Sequence, residues 1–358
     1  MATDPAPDVA PDLAPTLLPD SECPPRRPRR TSARATAASE PCLPLVVGGQ
    51  TIPPGRRVRL DLPVARLTTG TMMSLPVTVI NGKYPGPRLW LSAAIHGDEL
   101  NGVDIIRRLV RALRPTRLRG AVIAVPVVNI FGLLEQSRYL PDRRDLNRSF
   151  PGSPRGSLAS RLAFLFMSEV VNQCTHGIDL HTAAIHRTNL PQVRADLSDP
   201  DTYAFAQAFG APIILHAAHR DGSLRQAAAK RHIPTLLYEG GEALRFDEAA
   251  IQGGVDGIYR AMAHLGMYAP PSSLPAATSL EARETRWVRA SRGGIWRCTT
   301  RLGETVKARQ SLGFISDTFG DKPVQVRSPM AGIVIGHGQN PLVNQGDALV
   351  HVARLEAP

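Results

Sequence analysis

A chain of 358 residues is too long for one small core and predicts about two domains plus extensions. Its formal charge of +11 and pI of about 10.1 would admit nucleic acid, but the cations are overwhelmingly Arg, lie scattered and form no nucleic-acid module, so that partner is excluded. A membrane partner is excluded too, because no run approaches the roughly 20 apolar residues of a span.

Residues 1–42 are rich in Pro, Ala, Asp and Arg, include the basic run Arg26-Arg27-Pro28-Arg29-Arg30, and lack hydrophobic periodicity, which predicts a disordered extension. They do not read as a secretory signal, and the cytoplasm is the expected location. Four widely spaced cysteines, Cys23, Cys42, Cys174 and Cys298, form no CxxC pair and predict neither a disulfide framework nor a structural zinc. Residues 43–269 alternate strand-like and helix-like segments. Pro87 to Ala94 reads as a buried strand, and Glu99 to Leu113 as a helix with Val103, Ile106, Val110 and Leu113 on one face. Further apolar runs at Ala121 to Val128, Ile178 to Leu180 and Ala211 to Leu215 alternate with helical stretches at Leu158 to Val171 and Asp201 to Phe209. The expected fold is α/β, a mixed sheet flanked by helices. Residues 270–284 begin with the Pro- and Ser-punctuated PPSSLPAA and read as a linker. Residues 285–358 change to short β-type runs broken by Gly, a smaller all-β domain.

The chemistry concentrates in two distant segments, His96-Gly97-Asp98-Glu99 and Asp179-Leu180-His181-Thr182. A zinc ion that hydrolyses an amide needs about three protein ligands and one open position, and two His plus one carboxylate is a common solution. His96, Glu99 and His181 meet it, with one Zn2+ per chain. Both groups follow a strand, at the carboxyl edge where open α/β sheets bind ligands. Asp98 and Asp179 are candidates to orient the imidazoles, or are turn-formers and caps. Glu239 ends the apolar run Ile233 to Tyr238 and precedes Gly240 and Gly241, which would leave its carboxylate open to a substrate. It is the candidate general base; Glu242, beyond the glycines, is the competitor, and a strand-end ion pair with Arg is the bland reading. In Arg138 to Gly152 the fork of Arg148 beside the Asn147 amide makes a plausible carboxylate clamp, whereas Arg143, Arg144 and Arg155 read as solvated loop charges. His186, His216, His219 and His232 show no ligand spacing to the set; His216 and His219 are spaced i, i+3 but have no evident carboxylate partner.

In order along the chain, the HGDE motif at His96 to Glu99, DLNR at Asp145 to Arg148, DLHT at Asp179 to Thr182 and YEGG at Tyr238 to Gly241 resemble the succinylglutamate desuccinylase/aspartoacylase family, a branch of the zinc carboxypeptidase-like enzymes. The resemblance spans roughly Val46 to Arg354. It implies a hydrolase that deacylates small N-acyl amino acids through zinc held by His96, Glu99 and His181, with Asn147 and Arg148 on a substrate carboxylate, Arg138 polarising the scissile carbonyl and Glu239 activating water. Arg143 or Arg144 could replace Arg138, because the spacing from Arg138 to DLNR is longer than in aspartoacylase-like members. The rival with the same zinc chemistry is a metallocarboxypeptidase acting on peptides. Residues 285–358 resemble a biotinyl/lipoyl-like barrel sandwich, and Lys322 in its joining segment raises a carrier or docking role, although Pro323 follows it and no Met-Lys-Met occurs. Association into a homo-oligomer is left open.

Overall fold

A computed structural model describes residues 42–356, so the extension expected over residues 1–42, Cys42 apart, lies outside the described residues. The first elements are β1 (Leu45–Val47), β2 (Gln50–Ile52), β3 (Arg56–Arg66), β4 (Met72–Asn81), β5 (Tyr84–Ala93), α1 (Asn101–Ala112), β6 (Arg119–Val125), α2 (Ile130–Leu134) and α3 (Leu158–Glu169). There follow β7 (His176–Ala183), β8 (Arg187–Ala195), α4 (Pro200–Phe209), β9 (Ile213–His216), α5 (Leu224–Ala229), β10 (Thr235–Glu242) and α6 (Glu248–His264). From Leu280 onward every described element is a strand: β11 (Leu280–Arg289), β12 (Gly294–Cys298), β13 (Thr305–Val306), β14 (Ser311–Ser316), β15 (Val324–Arg327), β16 (Gly332–Gly338), β17 (Leu342–Val343) and β18 (Ala348–Leu355).

The fold is α/β around a twelve-stranded mixed sheet of order β13-β16-β18-β11-β9-β8-β10-β7-β5-β6-β4-β3. Strand alternation feeds two cores, one on each face. Trp90, Ala121, Ile123 and Val125 pack with Leu162 and Phe166 of α3 and Ala227 of α5. Leu89, Leu91, Val122 and Ala124 pack with Ile105, Ile106 and Leu109 of α1, Phe205 of α4 and Ile258 of α6. The expected helical face on α1 is only partly right, since Ile105 and Leu109 are the deeply buried positions beside Ile106 and Val110. Helix starts follow local chemistry: Ser157 accepts from the Ser160 N–H before α3, and Asp199 accepts from Thr202 N–H before α4, whose first residue is Pro200.

Two departures bear on the site. Helix α1 starts at Asn101 rather than Glu99, so His96 to Leu100 form a turn between β5 and α1, which frees the Glu99 carboxylate from helical geometry. The segment expected as a linker ends early, because Leu280 to Ala282 already pair in parallel with Ile213 to Leu215 of β9. The C-terminal strands therefore continue the large sheet: β11 joins β9, while β16 also pairs with β8 at Gly336↔Asn189. A second, four-stranded sheet of order β15-β14-β12-β17 lies beyond. Lys322 sits in the connection of the β14–β15 hairpin at φ 50°.

Candidate metal centre and cleft

Three neighbouring strands deliver the chemistry. Strands β5, β7 and β10 are parallel, with Ala93 opposite Leu180 and Glu239 opposite His181. The turn after β5 then carries His96 and Glu99 over the end of β7. Gly97 makes that turn fit: a Cβ there would stand 2.0 Å from the Gly132 carbonyl carbon and 2.2 Å from Leu133 N, both backbone atoms of α2. Gly97→Ala is therefore expected to push the turn off α2, costing about 1–3 kcal/mol in thermal unfolding. A wild-type melting temperature in that variant would show that the turn accommodates a side chain there.

The expected ligands converge. Glu99 Oε1 lies 2.7 Å from His96 Nδ1 and Oε2 lies 2.7 Å from His181 Nδ1, and one ligand atom from each of the three buried residues falls within 4.8 Å of the others. The far side of each imidazole meets a carboxylate. His181 Nε2 is 2.8 Å from Asp179 Oδ2, and Asp179 Oδ1 accepts at 2.7 Å from the Ser92 hydroxyl, which fixes the pair. His96 Nε2 is buried without a hydrogen-bond partner and faces Asp145 Oδ1 at 3.4 Å. Of the two residues expected to orient imidazoles, Asp179 hydrogen-bonds one, whereas Asp98 forms no hydrogen bond or ion pair with His96 among the described residues and has a buried, unpartnered Oδ1. Asp145 takes that place. Sequence reading missed it because it acts from 49 residues away.

The electrostatics suit a cation. Burial opposes charge on His96, yet Glu99 and Asp145 outweigh it and raise the imidazole above its ordinary value. Burial likewise opposes charge on His181, which Asp179 and Glu99 raise well above the histidine range. Against the same burial, His96 and His181 hold the Glu99 carboxyl well below the usual carboxylate range. A buried two-nitrogen, one-carboxylate donor set backed by two further carboxylates is the chemistry that binds a zinc-like dication, so these residues fit a metal.

These three residues open onto a cleft of about 740 Å³ that is also lined by Arg138, Asn147, Arg148 and Glu239. The Arg138 guanidinium donates to Asp145 Oδ2 at 2.9 Å and stands 3.2 Å from His96 Nδ1 and 3.6 Å from Glu99 Oε1. Arg143 and Arg144 are exposed and do not line the cleft. Asp145 shapes the next turn by accepting from Asn147 N–H at 2.8 Å, and Asn147 Oδ1 accepts at 2.9 Å from Leu224 N–H at the start of α5. Arg148, exposed beside it, donates to the Asn147 carbonyl at 2.6 Å. Glu239 faces the cleft, whereas Glu242 accepts from His186 N–H and lies outside it. The glycines after Glu239 serve a bulge more than they open a path: the register of β10 against β7 shifts between Glu239 and Glu242, Gly241 has φ +75°, and a Cβ there would meet Asn101 Nδ2 at 2.6 Å.

Sequence reading also missed the rest of the wall. Arg187, Arg194, Arg220 and Arg225 make it cationic, and Thr285 and Trp287 reach it from β11. Arg225 is buried, donates to the carbonyls of Ala217 and Ala218, and has no carboxylate within 4.0 Å among the described residues; burial and Arg194 bring it down to about 10. Trp287 stacks on His351 at 4.5 Å and 11°, with Arg187 5.3 Å from its ring. His216 and His219 do acquire a carboxylate, Asp196, whose oxygens lie 4.0 Å from each Nδ1. His216 Nδ1 already accepts from Leu197 N–H at 3.2 Å, which withdraws that lone pair from metal binding. His186 and His232 are exposed turn residues at positive φ.

The succinylglutamate desuccinylase/aspartoacylase catalytic domain matches residues 85–265. The N-alpha-acetyl-L-2,4-diaminobutyric acid deacetylase of Halomonas elongata is 27% identical over 314 residues, covering 83% of this chain and 90% of that one. A succinylglutamate desuccinylase of Pseudomonas aeruginosa is 32% identical over 143 residues, 36% of this chain and 41% of that one. Among solved structures, a succinylglutamate desuccinylase/aspartoacylase from Rhodobacter sphaeroides superposes with TM-score 0.74 at 30% identity, covering 84% of this chain and 96% of the other. The product-bound ectoine utilization protein EutE (DoeB) from Ruegeria pomeroyi superposes with TM-score 0.75 at 25% identity, covering 85% and 97%. No helix among the described residues is long and apolar enough to cross a membrane.

Proposed function

The chain belongs to the succinylglutamate desuccinylase/aspartoacylase family, and from that premise we propose that it is a zinc-dependent deacylase that hydrolyses the amide bond of a small N-acyl amino acid. The observation that carries this reading is the convergence of His96, Glu99 and His181 with Glu239 in register on the next strand. The named activities of its relatives, a deacetylase and a desuccinylase, support an acylated amino acid as substrate.

In this reading His96, Glu99 and His181 would hold one zinc ion, which would supply Lewis acidity for the acyl carbonyl and for a water molecule. Asn147 and Arg148 take the substrate carboxylate, and the cationic wall favours an anionic ligand entering the cleft. Arg138 donates to the acyl oxygen as negative charge develops there. Glu239 removes a proton from the attacking water; the new C–O bond gives a tetrahedral intermediate. Glu239 then passes the proton to the nitrogen as the C–N bond breaks, releasing the acyl carboxylate and the free amino acid. Residues 43–269 form the catalytic domain, and we read residues 285–358 as a biotinyl/lipoyl-like domain that closes the mouth of the cleft. Thr285 and Trp287 in the wall support that role over a carrier role for Lys322, which is not part of the cleft lining.

Amine release from a panel of N-acetyl and N-succinyl amino acids and short peptides tests the proposal. Release from an acyl amino acid that disappears on chelation and returns with zinc is the expected result. Cleavage confined to peptide C-termini would replace it with the carboxypeptidase reading. For the clamp, Arg148→Ala is expected to raise KM about 10- to 100-fold with kcat little changed, the loss of a charge-assisted hydrogen bond of about 1.5–3 kcal/mol. An unchanged KM would remove Arg148 from the substrate site.

A further inference from the structure

Glu239 is not loose in the cleft. Strand β8 runs antiparallel beside β10 with Gln192 opposite Glu239 and Arg194 opposite Leu237. Arg194 therefore lies one pleat along on the same face, within diagonal reach of the carboxylate for a long side chain. Its Nε stands 2.6 Å from Glu239 Oε2, a charge contact rather than a straight hydrogen bond. Gln192, fully buried, brings Nε2 to 3.5 Å from the same oxygen. Among the described residues neither Arg194 nor Glu239 has another ion-pair partner within 4.0 Å, and Glu239 Oε1 has no hydrogen-bond partner. The carboxylate is thus held at one oxygen and free at the other. His351 of β18 is pushed down to about 3 by burial and by Arg194, so it stays neutral beside the guanidinium.

We propose that Arg194 is a positioning residue for the base: by pinning Oε2 against β8 it presents Oε1, and only Oε1, to the reacting water. This rests on the reading of Glu239 as general base. A glutamate has three side-chain torsions to fix, and a proton acceptor displaced by about 1 Å can lose about 100-fold in rate. An arginine used in this way acts on kcat through Glu239, whereas an arginine that touches substrate acts on KM. The mixed population of the cleft wall makes the distinction testable, because Arg148 and Arg194 face the same space with opposite expected signatures.

The test is a double-mutant cycle on zinc-loaded full-length protein. Arg194→Met should lower kcat about 10- to 100-fold with KM within about twofold and zinc content unchanged. Arg194→Lys should recover part of the loss, since an ammonium can still neutralise Oε2 without the rigid fork. In the Glu239→Gln background, Arg194→Met should cost almost nothing further. A raised KM with intact kcat, or a full loss persisting in the Glu239→Gln background, overturns positioning and makes Arg194 an independent contact. If Arg194→Met fails to fold, Arg194→Lys carries the same decision: a loss confined to kcat supports the proposal and a loss confined to KM overturns it. Wild-type turnover by Glu239→Gln alone would instead overturn the base assignment, a result distinct from either outcome for Arg194.

Discussion

Glu239→Gln is expected to lower kcat by about 10²- to 10⁴-fold while zinc content, fold and KM stay close to wild type. The substitution is nearly isosteric, and its surroundings dictate how the amide turns. The Arg194 guanidinium lies against the Oε2 position as a positive charge, and Gln192 Nε2 presents a donor to it. The amide oxygen therefore takes that place, and the NH2 group faces the cleft where a proton acceptor is needed. No lone pair is left to receive the proton from water. The competing account is that Glu239 exists to neutralise Arg194 across the sheet. That account predicts a lowered melting temperature with turnover intact, since the loss would fall on a partly buried ion pair whose side chains are 24% and 18% exposed. Steady-state kinetics and thermal unfolding of the same preparation separate the two.

How far the sequence could be read follows from how local each feature is. His96 and Glu99 share one turn, and Asp179 and His181 share one strand, so their chemistry was visible as short motifs. The apolar runs of β5 and β6 were visible for the same reason, because a strand buried on both faces is written in neighbouring residues. What escaped are contacts that depend on register. Arg194 meets Glu239 only because β8 lies antiparallel to β10, in a pairing that shifts between Glu239 and Gly241. Trp287 reaches the cleft only because β11 adds to β9 and extends the sheet, where a linker was expected. Asp145 was visible as part of a motif yet not as the carboxylate facing His96, since a loop of unknown path separates them. Asp196 approaches His216 and His219 across the β8–β9 pairing, again a register effect. The helix start was misplaced by two residues because a turn that presents a ligand carries the same residue types as a first helical turn.

Removing His181 is the second large expected effect, and it falls on both metal and fold. Its imidazole lies between Glu99 Oε2 at 2.7 Å and Asp179 Oδ2 at 2.8 Å, and all three residues are buried. In His181→Ala the donor set drops to His96 and Glu99, one short of the three protein ligands of a catalytic zinc site, and turnover is expected to fall to that of chelated wild type. Asp179 keeps the Ser92 hydroxyl, and Glu99 keeps His96 and the Thr182 N–H, but the cation that both carboxylates shared is gone. Breaking a buried pair on one side costs about 3–5 kcal/mol, so the metal-free variant should melt below metal-free wild type. Zinc should then divide the two proteins further. At about 100 times its dissociation constant a ligand stabilises the native state by about 2.7 kcal/mol, which wild type should show and His181→Ala should not. Metal analysis that finds stoichiometric zinc in His181→Ala, together with a zinc-dependent rise in its melting temperature, would take His181 out of the ligand set and leave it as the counter-ion of Asp179.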